Sequence, residues 1–275
     1  MNKPWSIPVL LYHGLHAPGW DYHENDHVAL EQDLEMLRAD GFKVISLTYL
    51  VDLILNSNQP APAHSKLVAL TFDDGTDFDY KDFHHPDYGY LKSFNSILKA
   101  YPGLGLDRGC PSATSFVIAS PEAREELDRS CIAGRGQMGD DWWLESAENG
   151  PISIANHSWD HTHPSLDQLV VDSSNKGRFD LIDNFESADA EILNAEKFIQ
   201  KKTNKQSLPF FAYPYGHFNE FLADEYFPSR SNIFKAAFTT AGRPVCSADS
   251  RWLIPRFVCG EHWKTPQGLE QILAD

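Results

Sequence analysis

Leu67-Val68-Ala69-Leu70-Thr71-Phe72-Asp73-Asp74-Gly75 is an apolar run that stops abruptly at two carboxylates and a glycine. It is short, apolar and followed by turn residues, so Leu67–Phe72 reads as a buried strand. In parallel α/β architectures, catalytic groups and ligands gather at the C-terminal ends of strands. Successive side chains at a strand end point in different directions, so Asp73 and Asp74 can divide two tasks. One can hold a metal while the other handles a proton. Gly75 lets the chain turn away without placing a side chain in the site. Asp-Gly is also an ordinary turn signal, so these residues do not decide function alone.

The same rhythm continues outward in both directions. Further strands are expected at Ile7–Tyr12, Lys43–Leu47, Ala113–Ile118, Ile152–Ala155, Phe210–Tyr213, Lys235–Thr239 and Trp252–Val258. A helix is expected near Val28–Asp40, with Leu30, Leu34 and Leu37 on one face and Gly41 as its stop. Another is expected over Phe185–Gln200, with Phe185, Ala188, Ile192, Ala195 and Ile199 aligned. Weaker helical patterns lie at Leu50–Leu55, Tyr90–Ala100, Glu122–Ser130, Asp141–Asn149 and Glu220–Tyr226. Such alternation predicts an α/β fold with a mostly parallel sheet, open or closed into a barrel. No composition break divides the chain, so residues 1–275 are expected to form one catalytic domain. Thr76–Pro111, rich in Asp, His, Tyr, Gly and Pro, reads as an irregular insertion or functional rim. Residues 56–65 read as a surface loop.

Two further strand ends carry chemistry. After Ile152–Ala155 comes Asn156-His157-Ser158-Trp159-Asp160-His161-Thr162-His163. Two histidines four residues apart can converge on one cation from a helical turn. With a strand-end carboxylate they would leave positions open for water and substrate, as catalytic zinc sites do. His163 is the spare, best placed at the rim. After Phe210 comes Phe211-Ala212-Tyr213-Pro214-Tyr215-Gly216, a turn whose backbone N–H groups could face a developing oxyanion.

Charge and composition exclude several classes. Lys plus Arg number 23 and Asp plus Glu 39, a formal net charge of −16. That excess argues against binding nucleic acid or anionic lipid. A hydrophobic content of 42% is ample for a packed core, which argues against disorder. Met1–Gly14 has no long apolar run ahead of a small-residue cleavage site, and no run reaches the ~18 apolar residues of a membrane span. The expectation is therefore a soluble, cytoplasmic chain with no membrane span. Cys110, Cys131, Cys246 and Cys259 form no CxxC pair and are expected to be plain thiols. No feature specifies an oligomeric state.

Together the three clusters resemble the polysaccharide deacetylase family, also called NodB-homology or carbohydrate esterase family 4. Thr71–Gly75 is similar to its TFDDG motif and His157–His161 to its HSxxH motif. The resemblance extends from about Ile7 to Val258 and implies a distorted (β/α)7 barrel. It implies that Asp73 is the general base, that Asp74, His157 and His161 ligate a divalent ion, usually Zn2+, and that the Tyr215 N–H after Pro214 helps hold the oxyanion. Two departures stand out. The arginine of the third motif is replaced by Ala212, and Arg256 on another strand end could supply the guanidinium. A late LxxH motif has no good copy, Val258–His262 being a poor match. Leu10-Leu11-Tyr12-His13 instead resembles the permuted branch that deacetylates poly-N-acetylglucosamine, where a YH pair supplies the acid, so His13 is preferred over His262.

The implied activity is removal of N-acetyl groups from N-acetylhexosamine-containing glycans or oligosaccharides. The alternatives are an amidohydrolase of a small non-sugar amide or ureide, and a non-catalytic sugar-binding relative. Among the large aromatics, Tyr215 and Trp159 are expected beside the substrate, the others in the core. Asp77, Asp79, Asp82, Asp87 and Asp160 flank the motifs and could form an acidic rim for an amine product.

Overall fold

Eight parallel strands form one curled sheet in the computed structural model of the chain, which describes residues 5–15, 19–56, 66–85, 87–106 and 109–274. In chain order they are β1 Val9–His13, β2 Lys43–Ile45, β3 Leu67–Asp73, β4 Ala113–Val117, β5 Ile152–Asn156, β6 Phe210–Ala212, β7 Ala236–Phe238 and β8 Phe257–Val258. Their spatial order is β7-β6-β5-β4-β3-β1-β8, with β2 paired to the first half of β3. Every residue of β3 and β4 is buried, as expected of parallel strands covered on both faces.

The last strand segment touches both ends of this row. Ile254 bridges Phe238 of β7, and Phe257 pairs with Leu10 of β1. The sheet therefore closes on itself as a distorted (β/α) barrel of the expected type. Arg256 lies between those two contacts and is fully buried.

Helices cover the outside. Asp26–Ala39 (α1) is capped by the Asn25 side chain and buries Leu30, Leu34 and Leu37 completely. Leu47–Leu55 (α2) is capped by Ser46, and Phe94–Lys99 (α3) by Ser93. Pro121–Cys131 (α4) has Ser120 as its cap and proline in its first turn. Trp143–Asn149 is α5. Helix α6 runs over residues 185–202, with a π-helical turn at Asp189–Leu193 in its middle.

Several expectations needed revision. The strand expected at Ile7–Tyr12 is cut by Pro8, and Ser6–Ile7 pairs instead with Val245–Cys246. The described residues between 76 and 111 are not irregular throughout. They hold a hairpin, Phe83–His85 with Gly89–Leu91, and α3. Phe94 of α3 stacks on Phe72 at 4.1 Å, which ties this segment to β3. A C-terminal helix, Pro266–Ala274, was not anticipated. Most of the expected loop at 56–65 lies outside the described residues. No described helix is long and apolar enough to cross a membrane. All four cysteines are free.

Candidate active site

The C-terminal ends of β1, β3 and β5, with the turn after β6, converge on one cavity of about 460 Å³. Asp73 ends β3 and is 4% exposed. Arg256 grips it with two parallel bonds, Nη1 to Oδ1 at 2.7 Å and Nη2 to Oδ2 at 2.8 Å. Burial pushes the Asp73 carboxyl up, but the Arg256 guanidinium and the nearby His157 outweigh it and hold it below the usual carboxylate range. The residue therefore stays an anion at neutral pH. Ala212, where the family motif has arginine, is a buried strand residue.

Asp74, His157 and His161 form the second group, with donor atoms all within 4.8 Å of one another. His157 Nδ1 lies 2.9 Å from the Ala212 carbonyl, which can only accept, so that nitrogen carries the hydrogen. Nε2 is left with its lone pair facing the site. It stands 3.8 Å from Asp74 Oδ1, as does His161 Nε2. Those gaps are too long for hydrogen bonds and near the spacing of ligands around an ion with bonds of about 2.1 Å. Burial, then the neighbouring imidazoles, push His161 well down, so it is neutral and able to ligate. The donor set thus fits a divalent cation.

Backbone strain is concentrated here. Asp74, Ser158, His161, Thr162 and Tyr215 have φ between 44° and 73°. They are five of the eight non-glycine residues with positive φ among the described residues. The His157–His161 stretch is therefore a strained loop and not the helical turn expected from its spacing. Gly75 is required for a further reason: a Cβ there would come within 2.5 Å of Val117 Cγ1.

The loop is held from behind. Glu191, in the π-helical turn of α6, accepts the Trp159 and Asp160 amides at 3.1 and 3.3 Å. Asp160 in turn caps Thr162 and Val170. Nothing in the sequence singled out Glu191. The only local signal, an acid inside an amphipathic helix, resembles an ordinary surface residue.

The remaining expected residues divide. His13 ends β1 beside Asp73 in the strand register and lines the cavity, with its amide bonded to Asp26 at 2.7 Å. Tyr215 and His163 also line it, and the Tyr215 ring is 4.4 Å from that of His161. Pro214 is buried within the turn and sets its shape. Trp159 is not brought to the cavity. Its ring packs edge-on against Phe198 of α6, because the strained loop turns it outward. His262 does not line the cavity either, and its Nδ1 accepts the Val258 amide at 2.8 Å. Of the expected acidic rim, Asp77, Asp79 and Asp160 are buried, with Asp79 bonded to Ser115, while Asp82 and Asp87 are exposed but do not line the cavity.

A sequence profile described as polysaccharide deacetylase matches residues 61–226, more than half of the chain. No curated protein sequence matches. Among solved structures the chain is similar to Streptococcus pyogenes deacetylase PplD in complex with acetate, at 19% identity and a TM-score of 0.63, covering 98% of this chain and 99% of that one. It is similar to IcaB from Ammonifex degensii at 20% identity and 0.64, covering 98% and 96%. The BpsB deacetylase domain from Bordetella bronchiseptica stands at 16% and 0.60, covering 92% and 96%. Identities this low speak to the fold, which all three share with this chain.

Proposed function

Because the chain belongs to the polysaccharide deacetylase family, we propose that it hydrolyses N-acetyl groups of N-acetylhexosamine-containing glycans or oligosaccharides with the help of a divalent cation. The observation that carries this reading is the Asp74–His157–His161 cluster beside a carboxylate, Asp73, that Arg256 keeps ionised. Two imidazoles and one carboxylate suit zinc and leave coordination positions open. Held there, a divalent cation would polarise the amide carbonyl and acidify a nearby water.

The chain's own residues divide the proton traffic. Asp73 accepts the proton of the attacking water. His13, at the neighbouring strand end, donates to the departing nitrogen, which is too poor a leaving group as an amide anion. The Tyr215 N–H, on the turn after β6, donates to the oxygen that gains charge at the acyl carbon. Arg256 orients Asp73 and takes no proton.

The test is acetate release from N-acetylglucosamine oligomers of several lengths, with zinc present and after chelation. Acetate release that requires the cation and disappears in Asp73→Asn is the expected result. Tight oligomer binding with no acetate would overturn the hydrolytic reading.

A further inference from the structure

The cavity has an aliphatic wall that removal of an acetyl group does not require. Ile118, Leu127, Ile132 and Met138 line it and are no more than 9% exposed. They come from the end of β4, from α4 and from the loop after it. Ile118 donates its N–H to the Asp74 carbonyl at 3.3 Å, so the wall begins beside the cation-binding cluster.

The sheet order says which part of a substrate meets this wall. β1 and β4 pair with opposite edges of β3. His13 therefore stands on one side of Asp73 and Asp74, and Ile118 on the other. The leaving nitrogen must lie toward His13, and the acyl substituent then extends toward Ile118. Glu261, which follows β8 on the side of His13, also lines the cavity and can meet sugar hydroxyls. The wall offers only weak side-chain partners, the Met138 thioether and the adjacent Cys131 thiol, so a sugar ring placed there would lose hydrogen bonds to water without comparable replacement.

The wall is also held in place. Arg124 Nε donates to the Met138 carbonyl at 2.8 Å. Asp128 accepts the Gly136 and Gln137 amides at 2.9 and 2.7 Å. The Asp77 amide donates to the Gln137 carbonyl at 2.8 Å. Such bracing makes the wall a preformed surface, as ligand-binding surfaces usually are.

We infer that the site accepts N-acyl groups longer than acetyl, with an unbranched aliphatic chain lying against Ile118, Leu127, Ile132 and Met138. This rests on the hydrolytic reading above. Water adds to the acyl carbon, the C–N bond breaks, Asp73 takes a water proton and His13 protonates the nitrogen. The products are an alkanoic acid and a free amine.

The experiment is a kcat/KM series on glucosamine tetramers carrying N-acetyl, N-propionyl, N-butyryl or N-hexanoyl groups. A rise of roughly fourfold per methylene from acetyl to butyryl is expected, from the burial of each methylene. A flat or falling series with acetyl turned over would overturn the inference alone. No turnover at any length would overturn the deacylase reading, and this inference with it. Met138→Trp narrows the wall and is expected to lower the hexanoyl-to-acetyl ratio at least tenfold. An unchanged ratio in the folded variant would show that the chain does not lie there.

Discussion

Asp73 and Glu196 are each 4% exposed, yet their protonation diverges. Asp73 faces the cavity at the end of β3, and its carboxyl is held down by two bonds from a buried guanidinium. Glu196 lies behind β5 on α6, where its partners are the neutral amides of Gln200 and Asn156 at 2.8 and 3.3 Å. Burial pushes its carboxyl up from 4.5 to about 7, with those amides opposing only part of the rise. Glu191, one turn earlier and fully buried, is pushed well up by burial and by Asp160. At equal depth, the charge of the partner decides whether a carboxylate survives. The front of the sheet keeps a carboxylate, while the layer behind it holds carboxyls that burial pushes toward the neutral form.

Four changes would break or sharpen that contrast. Asp74→Asn removes a candidate cation ligand without touching the guanidinium. Turnover should vanish and zinc retention after dialysis should be lost, while thermal unfolding shifts little, because the side chain is 28% exposed. Arg256→Gln would make Asp73 resemble Glu196 by giving it a neutral amide partner. Stability should fall by about 3–5 kcal/mol in denaturant titrations. The acid limb of the pH–rate profile should move upward, and an unmoved limb would mean that Arg256 does not set the base.

Glu191→Ala would release the Trp159 and Asp160 amides, so zinc affinity measured by competition should weaken about 10–100-fold. Glu196→Gln is the smallest change. In the wild type this group takes up a proton on folding between pH 4.5 and about 7, so its stabilising contribution is full below 4.5 and is lost as pH rises through about 7. Glu196→Gln should therefore match the wild type at pH 4 and exceed it at pH 8, by up to about 3 kcal/mol.

How much of this was legible in the sequence depends on the distance along the chain. Asp73-Asp74-Gly75 and His157–His161 are contiguous and follow apolar strands, so their place at strand ends could be read directly. Leu30, Leu34 and Leu37 showed their buried face by spacing alone. Arg256 and Asp73 are 183 residues apart, and only the register of a closed barrel brings them together. The loop form of His157–His161 was missed because spacing cannot report φ, and Trp159 was misplaced for the same reason. Asp77 and Asp79 looked like surface acids because sequence does not show which face of a turn is covered. The π-helical turn that aims Glu191 at the loop depends on tertiary packing and leaves no periodic trace.

The closure of the barrel by residues 254–258 also has a consequence for biosynthesis. A ribosome makes Asp73, Asp74, His157 and His161 long before it makes Arg256. Until that residue arrives and the last strand docks between β7 and β1, the nascent barrel is open and Asp73, the proposed base, lacks its counter-charge. Under the proposed function, such a chain can assemble its candidate cation ligands early while remaining chemically silent. Competence then comes late, in step with the seam that completes the sheet.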